Sequence, residues 1–292
     1  MTRLSTVVGS LLIAVTTAAL PSSAADVQEL VAEGDGWWAR RAEGHEGDRA
    51  AAEPIARAVG AYTGALEAAP EDLEVRWRLL RALYFQGEYA TVGEDEKLAI
   101  FERGRTLGEE GLDLLAEPFG GRAALDAMEP AELATTVGDR TLAAQTYFWA
   151  AAHWGLWGQV RGKLAAARQG VAGKVRDYAE RVIALDETLQ HAGGHRVLGR
   201  LHSEAPKIPF VTGWVDHDKA IAELERTQEL APSDLLTRVY WAEAVLEHDS
   251  RRSAEAVSEL RAVSTSSPDP EFLVEELHAI AEAKRLLAEH AG

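Results

Sequence analysis

Residues 220–232 read AIAELERTQELAP, and the same spacing of small and large residues occurs at two other places in the chain. In each, a small residue is followed by a large one four positions on, a small one three later and a proline five later. The three sets are Ala58, Tyr62, Ala65 and Pro70; Ala220, Leu224, Thr227 and Pro232; and Ala256, Leu260, Val263 and Pro268. Small residues at fixed helical spacing let neighbouring helices cross closely, and the prolines mark helix ends. The pattern predicts stacked helical hairpins.

A second pattern indicates the first helices of such hairpins. There a large residue is followed three, four and seven positions later by apolar, small and aromatic ones. The sets that fit are His195, Leu198, Gly199 and His202, and Trp77, Leu80 and Tyr84. In the second set Arg81 stands where a small residue is expected. Together the patterns are typical of tetratricopeptide repeats, so we predict an all-α fold of hairpins stacked into a superhelix.

The composition supports one helical domain over residues 26–292. Ala, Leu, Glu and Arg are abundant, and these are strong helix formers, whereas alternating β-branched runs are scarce. Glycine and proline clusters separate the helical stretches, and a loop over residues 203–216 lengthens one hairpin.

The N-terminal residues 1–25 have the features of a secretory signal peptide. A short basic start is followed by a mostly apolar run and then by small residues at Ala24 and Ala25. A membrane anchor is the alternative, but the run is shorter than the roughly 20 residues of a spanning helix and ends in Pro21. With no cysteine, the chain has neither disulfides nor a cysteine-linked lipid anchor. We therefore expect a periplasmic or secreted protein without a membrane anchor.

The charge balance bears on partners. The 47 acidic residues outnumber the 30 basic ones, which gives a formal net charge of -17. Such a chain is repelled by phosphate backbones and anionic lipid surfaces, so nucleic acid is not an expected partner.

Several stretches resemble the T component of TRAP transporters, the tripartite ATP-independent periplasmic transporters. These stretches are LRALY at 80–84, GEY at 87–89, YFWAA at 147–151, GLW at 155–157, ALD at 184–186, GGHRVLGRL at 193–201 and LAP at 230–232. The resemblance implies a non-enzymatic, degenerate tetratricopeptide protein that associates with a periplasmic solute-binding protein. It also implies a homotrimer and a small hydrophobic or organic-acid ligand in a central pore. Members of the family are often lipoproteins, and the missing cysteine departs from that pattern.

Two other functions are weighed beside this one. A generic tetratricopeptide scaffold could bind peptides or proteins in envelope assembly without any link to a transporter. An enzyme could use histidines or paired carboxylates on the helical scaffold. Because no nucleophile elbow, HExxH motif or phosphate loop is present, we expect no enzymatic activity and no cofactor.

Two arginines are candidate ligand-binding residues. Arg196 and Arg200 lie four positions apart, just after Gly193 and Gly194 at the expected start of a helix. On a tetratricopeptide groove they could hold a carboxylate together with the helix N-terminus. The alternative is that both bridge to acidic neighbours on the surface.

An aromatic-rich helix gives a second group of candidates: Tyr147, Trp149, His153 and Trp154, with Phe148 and Trp157 beside them. Aromatic residues at helical spacing usually pack in the core, but this set covers more than one helix face. Some of them could therefore line a pore or an interface.

The inserted loop carries Phe210 and Trp214, which are candidates as well. Exposing both rings to water is unfavourable, so the loop either folds over the groove or meets a partner. His191, His195 and His202 could suggest a metal site, but the glycines between the first two break the helix and the others occupy packing positions. We expect no metal, and we expect Asp216 to cap the following helix.

Overall fold

The structure is a computed structural model that describes residues 24–290, and within them the chain is helical with no strand. The all-α prediction is confirmed. The predicted signal peptide lies outside the described residues except for Ala24 and Ala25, which begin the first helix. The helices are α1 Ala24–Ala39, α2 Ala52–Ala68, α3 Leu73–Phe85, α4 Glu94–Ala116, α5 Arg122–Asp126, α6 Pro130–Thr136, α7 Arg140–Arg161, α8 Lys163–Arg168, α9 Val171–Leu185, α10 Leu189–Glu204, α11 His217–Leu230, α12 Leu235–His248, α13 Ser253–Ser264 and α14 Leu273–Glu289.

Aspartates set the starts of four of these helices. Asp72 accepts hydrogen bonds from the backbone amides of α3, Asp139 from α7, Asp216 from α11 and Asp234 from α12. Each carboxylate satisfies a donor that the first helical turn leaves free, and its charge suits the positive end of the helix dipole. The predicted cap at Asp216 is confirmed.

The small and large residues of the three repeat sets lie in the helix interfaces. In α2, α11 and α13 the small and large members of each set are fully buried. A methyl group added at Gly199 in α10 would lie 2.5 Å from Leu224 Cγ and 3.1 Å from the Ala220 carbonyl oxygen. The backbones of α10 and α11 therefore cross closely at Gly199, as the spacing predicts. The winding of the hairpins into a tetratricopeptide superhelix stays a prediction.

The long helices pack mainly on their neighbours in sequence, with α7 in the middle against α3, α4 and α9. The two ends of the array then meet. Just after α1, Arg41 Nε donates to Glu275 Oε1 of α14 at 2.9 Å, and the Tyr89 and His278 rings are 5.6 Å apart. Val274 belongs to the same buried cluster as residues of α2 and α3. This contact between the two ends helps the helices to enclose an internal space.

Within residues 24–290, no helix has the length and apolar character needed to cross a bilayer.

Candidate ligand cavity

A cavity of about 950 Å³ lies among the helices, and α1, α3, α7, α8, α9, α10 and α12 all contribute to its wall. Its wall is largely apolar, with small residues of α7 and α9 and a set of aromatic side chains. The aromatic residues that line it are Trp38, Tyr84, Phe85, Tyr89, Phe148, Trp149, Tyr240 and Phe272. A concave, aromatic wall with a few charged groups is typical of small-molecule sites.

Arg196 lines the cavity and is also held by the protein. Its guanidinium donates to Asp234 Oδ2 at 2.7 Å and to the carbonyl oxygens of Gln190 and His191 at 3.1 and 3.2 Å. Those two residues and Ala192 have left-handed backbone conformations, with φ between 51° and 57°. Left-handed turns of non-glycine residues are costly, so Arg196 stabilises a strained turn that also lines the cavity.

Arg200 lines the cavity one helical turn later. It forms ion pairs with Glu243 and Glu204 and lies over the Tyr240 ring, 4.3 Å from its centroid. Burial opposes its charge, but Tyr240 and the two carboxylates outweigh burial and raise the pKa of Arg200. Arg196 and Arg200 therefore line the cavity, and both are also bridged to acidic neighbours.

The aromatic helix α7 divides into two faces. Trp149 and Phe148 line the cavity, with their rings 4.9 Å apart. Tyr147, His153 and Trp154 do not contribute to its wall and are buried in the core. The Trp154 indole donates to Glu109 Oε1 at 2.5 Å on the side facing α4 and α9.

His153 is fully enclosed between α3 and α4. Its Nε2 is 2.9 Å from the Leu80 carbonyl oxygen, and its Nδ1 has no hydrogen-bond partner. Burial lowers the pKa of His153 to about 4. Gly104 makes room for the ring, because a methyl group there would lie 2.1 Å from Nδ1.

The inserted loop contacts the cavity with one part and projects from the protein with another. Ile208 and Val211 line the cavity, whereas Phe210 is fully exposed and has φ of 65°. Trp214 lies against His202, with ring centroids 5.4 Å apart, and under the guanidinium of Arg176. The structure therefore places Trp214 on the helices, outside the cavity wall, and leaves Phe210 in solvent.

The histidines of α10 have different surroundings. His195 Nδ1 is 2.6 Å from Glu223 Oε2 and its Nε2 is 3.2 Å from Glu187 Oε1. Burial opposes the charged form, but these carboxylates outweigh it and raise the pKa of His195. Burial lowers the pKa of His202. Among residues 24–290 no group of three histidine or acidic side chains has the arrangement of a metal site.

Sequence reasoning missed the charged residues at one corner of the cavity. This corner, called here the Trp38 corner, is formed by the lining residues Trp38, Arg81, Phe85, Phe272 and Glu275. Arg81 occupies the repeat position at which a small residue is expected. This departure from the repeat pattern could have marked Arg81 as a site residue, since a large cation in a close-packing position requires space and a partner.

Comparison with protein families gives a match that covers the greater part of the chain. The model of the TRAP transporter T-component family matches residues 88–291. Comparison with curated proteins gives no match. The match includes the aromatic helix, both arginines of α10 and the inserted loop, but begins after Trp38 and Arg81. The chain belongs to the TRAP transporter T-component family.

Proposed function

We propose that the chain is a non-enzymatic, exported component of TRAP transport that holds a small organic ligand and docks on a periplasmic solute-binding protein. Family membership supports the role in TRAP transport. The observation that carries the ligand part is the aromatic cavity of about 950 Å³. This volume is large enough for a metabolite-sized molecule, and the apolar wall favours an organic one.

Docking is proposed at the exposed apolar part of the loop, residues 208–211. Phe210 is completely exposed and Val211 is 53% exposed, although both are large hydrophobic side chains. Exposed apolar clusters of this kind are typical of interaction surfaces. Because Val211 and Ile208 also line the cavity, a partner bound to this loop would lie next to the proposed ligand.

The ligand proposal is tested by native mass spectrometry of the mature protein, residues 26–292, combined with light scattering after size-exclusion chromatography. A bound small molecule that is released on unfolding would support the proposal, and light scattering would show whether the protein is the expected trimer. A ligand-free monomer that binds peptides would instead favour the envelope scaffold.

The docking proposal is tested with Phe210→Ser and the solute-binding protein as the probe. Loss of a central aromatic contact should weaken association by roughly tenfold or more. Val92→Ser is the matched control, because Val92 is 71% exposed but lies outside the loop. If both variants bind as tightly as the unsubstituted protein, the loop is not the docking surface.

A further inference from the structure

Three arginines line the cavity, and they differ in their partners. Arg196 and Arg200 are neutralised by Asp234 and by Glu204 and Glu243. Arg81, on α3, has no ion pair with any residue in the described part of the chain, and its Nε is buried without a hydrogen-bond partner. Arg81 is partly buried, and leaving its buried Nε–H without an acceptor is unfavourable, so a ligand could supply the missing partner.

The groups around Arg81 do not supply a counter-charge, because the Tyr62 hydroxyl, which interacts with it, is neutral. Its guanidinium lies over the Trp38 ring, 4.0 Å from the centroid, and 5.1 Å from that of Trp77. Asp35, an acidic group whose charge acts on Arg81, accepts from the Tyr62 hydroxyl at 2.6 Å and pairs with another arginine, Arg78, at 3.5 Å. Burial lowers the pKa of Arg81, an effect that Tyr62 and Asp35 only partly offset.

The Trp38 corner carries one positive charge that no acidic side chain there compensates, the charge of Arg81. The guanidinium of Arg41 lies against the Trp38 and Phe272 rings and pairs with Glu275 at 2.9 Å. That pair is neutral overall, so Arg81 contributes a net charge of about +1 to a largely apolar wall. Asp234 and Glu276 also line the cavity, and they would repel a ligand that carries several negative charges.

We propose that the Trp38 corner is an anion subsite, in which Arg81 binds the carboxylate of a monoanionic ligand whose apolar body lies against the aromatic wall. Arginine suits this role because its planar fork can bind both carboxylate oxygens. Phe85 and Tyr84 follow Arg81 on α3 and, with Trp149 of α7, provide apolar surface next to the subsite. The inference rests on the proposed ligand-holding function. It specifies a monoanionic carboxylate as the ligand class and Arg81 as the residue that selects this ligand.

The test compares decanoate with decanol, which share a chain but differ in charge, on the full mature protein at about pH 8. Binding is measured from the tryptophan fluorescence, since Trp38 and Trp149 both line the cavity. The unsubstituted protein should bind decanoate more tightly than decanol. Arg81→Met, which keeps the aliphatic stem, should weaken decanoate binding by about tenfold or more and leave decanol binding unchanged, because a charge-assisted hydrogen bond is lost.

Two further variants complete the design. Arg103→Met removes an exposed arginine of α4 that does not line the cavity, so it should leave the preference for decanoate intact. Arg81→Lys keeps the charge and should retain part of the preference, which protects the test against a variant that folds poorly.

The outcomes separate the subsite from the proposed function. If decanol and decanoate bind equally well, or if Arg81→Met loses affinity for both to the same extent, the anion subsite is wrong while the ligand-holding cavity stands. If neither compound binds to the folded protein, the ligand-holding function fails together with the subsite.

Discussion

Replacing His153 by glutamine should remove a specific part of the pH dependence of folding. The ring is completely buried, and burial lowers the pKa of His153 to about 4 from an ordinary value of 6.5. The unfolded chain therefore takes up a proton at a higher pH than the folded protein does. The contribution of neutral His153 is fully present above about pH 6.5 and is lost as pH falls towards about 4.

The magnitude follows from the difference between the two pKa values. One pKa unit corresponds to about 1.4 kcal/mol, so the full loss is roughly 3 kcal/mol, of which about 2 kcal/mol falls between about pH 7 and pH 5. His153→Gln cannot gain this charge, yet its amide can still donate to the Leu80 carbonyl oxygen. The variant should lose less stability on acidification than the unsubstituted protein.

The assay is urea unfolding followed by circular dichroism for both proteins across this pH range. Other titrating groups act equally in both, so the difference between the two curves isolates His153. Parallel curves, with a difference that stays constant within about 0.5 kcal/mol, would refute the reasoning. A direct check is the pKa of the His153 imidazole, measured by NMR from the chemical shift of its Cε1 proton.

Four further predictions concern α10 and α2. His195→Gln should reduce the unfolding free energy more at about pH 5.5 than at about pH 8, because the raised pKa makes the charged ring stabilising below about 6.5. Gly199→Val should cost about 1 to 3 kcal/mol in urea unfolding through overpacking, whereas Gly60→Ala, where the added carbon meets nothing, should stabilise α2 by about 0.5 to 1 kcal/mol. Arg196→Met should cost about 1 to 3 kcal/mol and speed amide hydrogen exchange at residues 190–192; unchanged exchange there would contradict the role given to Arg196.

Much of the helical organisation was predictable because it depends on short-range patterns. The burial of Ala58, Leu224 and Val263 follows from their spacing within single helices, and Gly199 marks a close crossing for the same reason. The carboxylate of Asp216 was recognisable as a cap because the amides that donate to it lie only two and three residues away.

The site was less accessible to the same reasoning. The aromatic residues of α7 alternate between core and cavity, and only the packing of α3, α4 and α9 decides that Trp149 lines the cavity and Trp154 does not. Arg196 and Arg200 were recognised as candidates, but their partners Asp234 and Glu243 lie 38 and 43 positions away.

The sequence by itself determined that the chain is helical, where α11 starts and which faces of several helices pack, because hydrogen bonds and side-chain spacing within a helix connect residues only a few positions apart. The tertiary structure decided which charges are compensated. Arg41 and Glu275 meet across 234 positions as the two ends of the array come together, whereas Arg81 at the cavity wall has its Nε buried without a hydrogen-bond partner. Ion pairing depends on distance in space, and in a closed array of helices that distance is set by the packing of all the intervening elements.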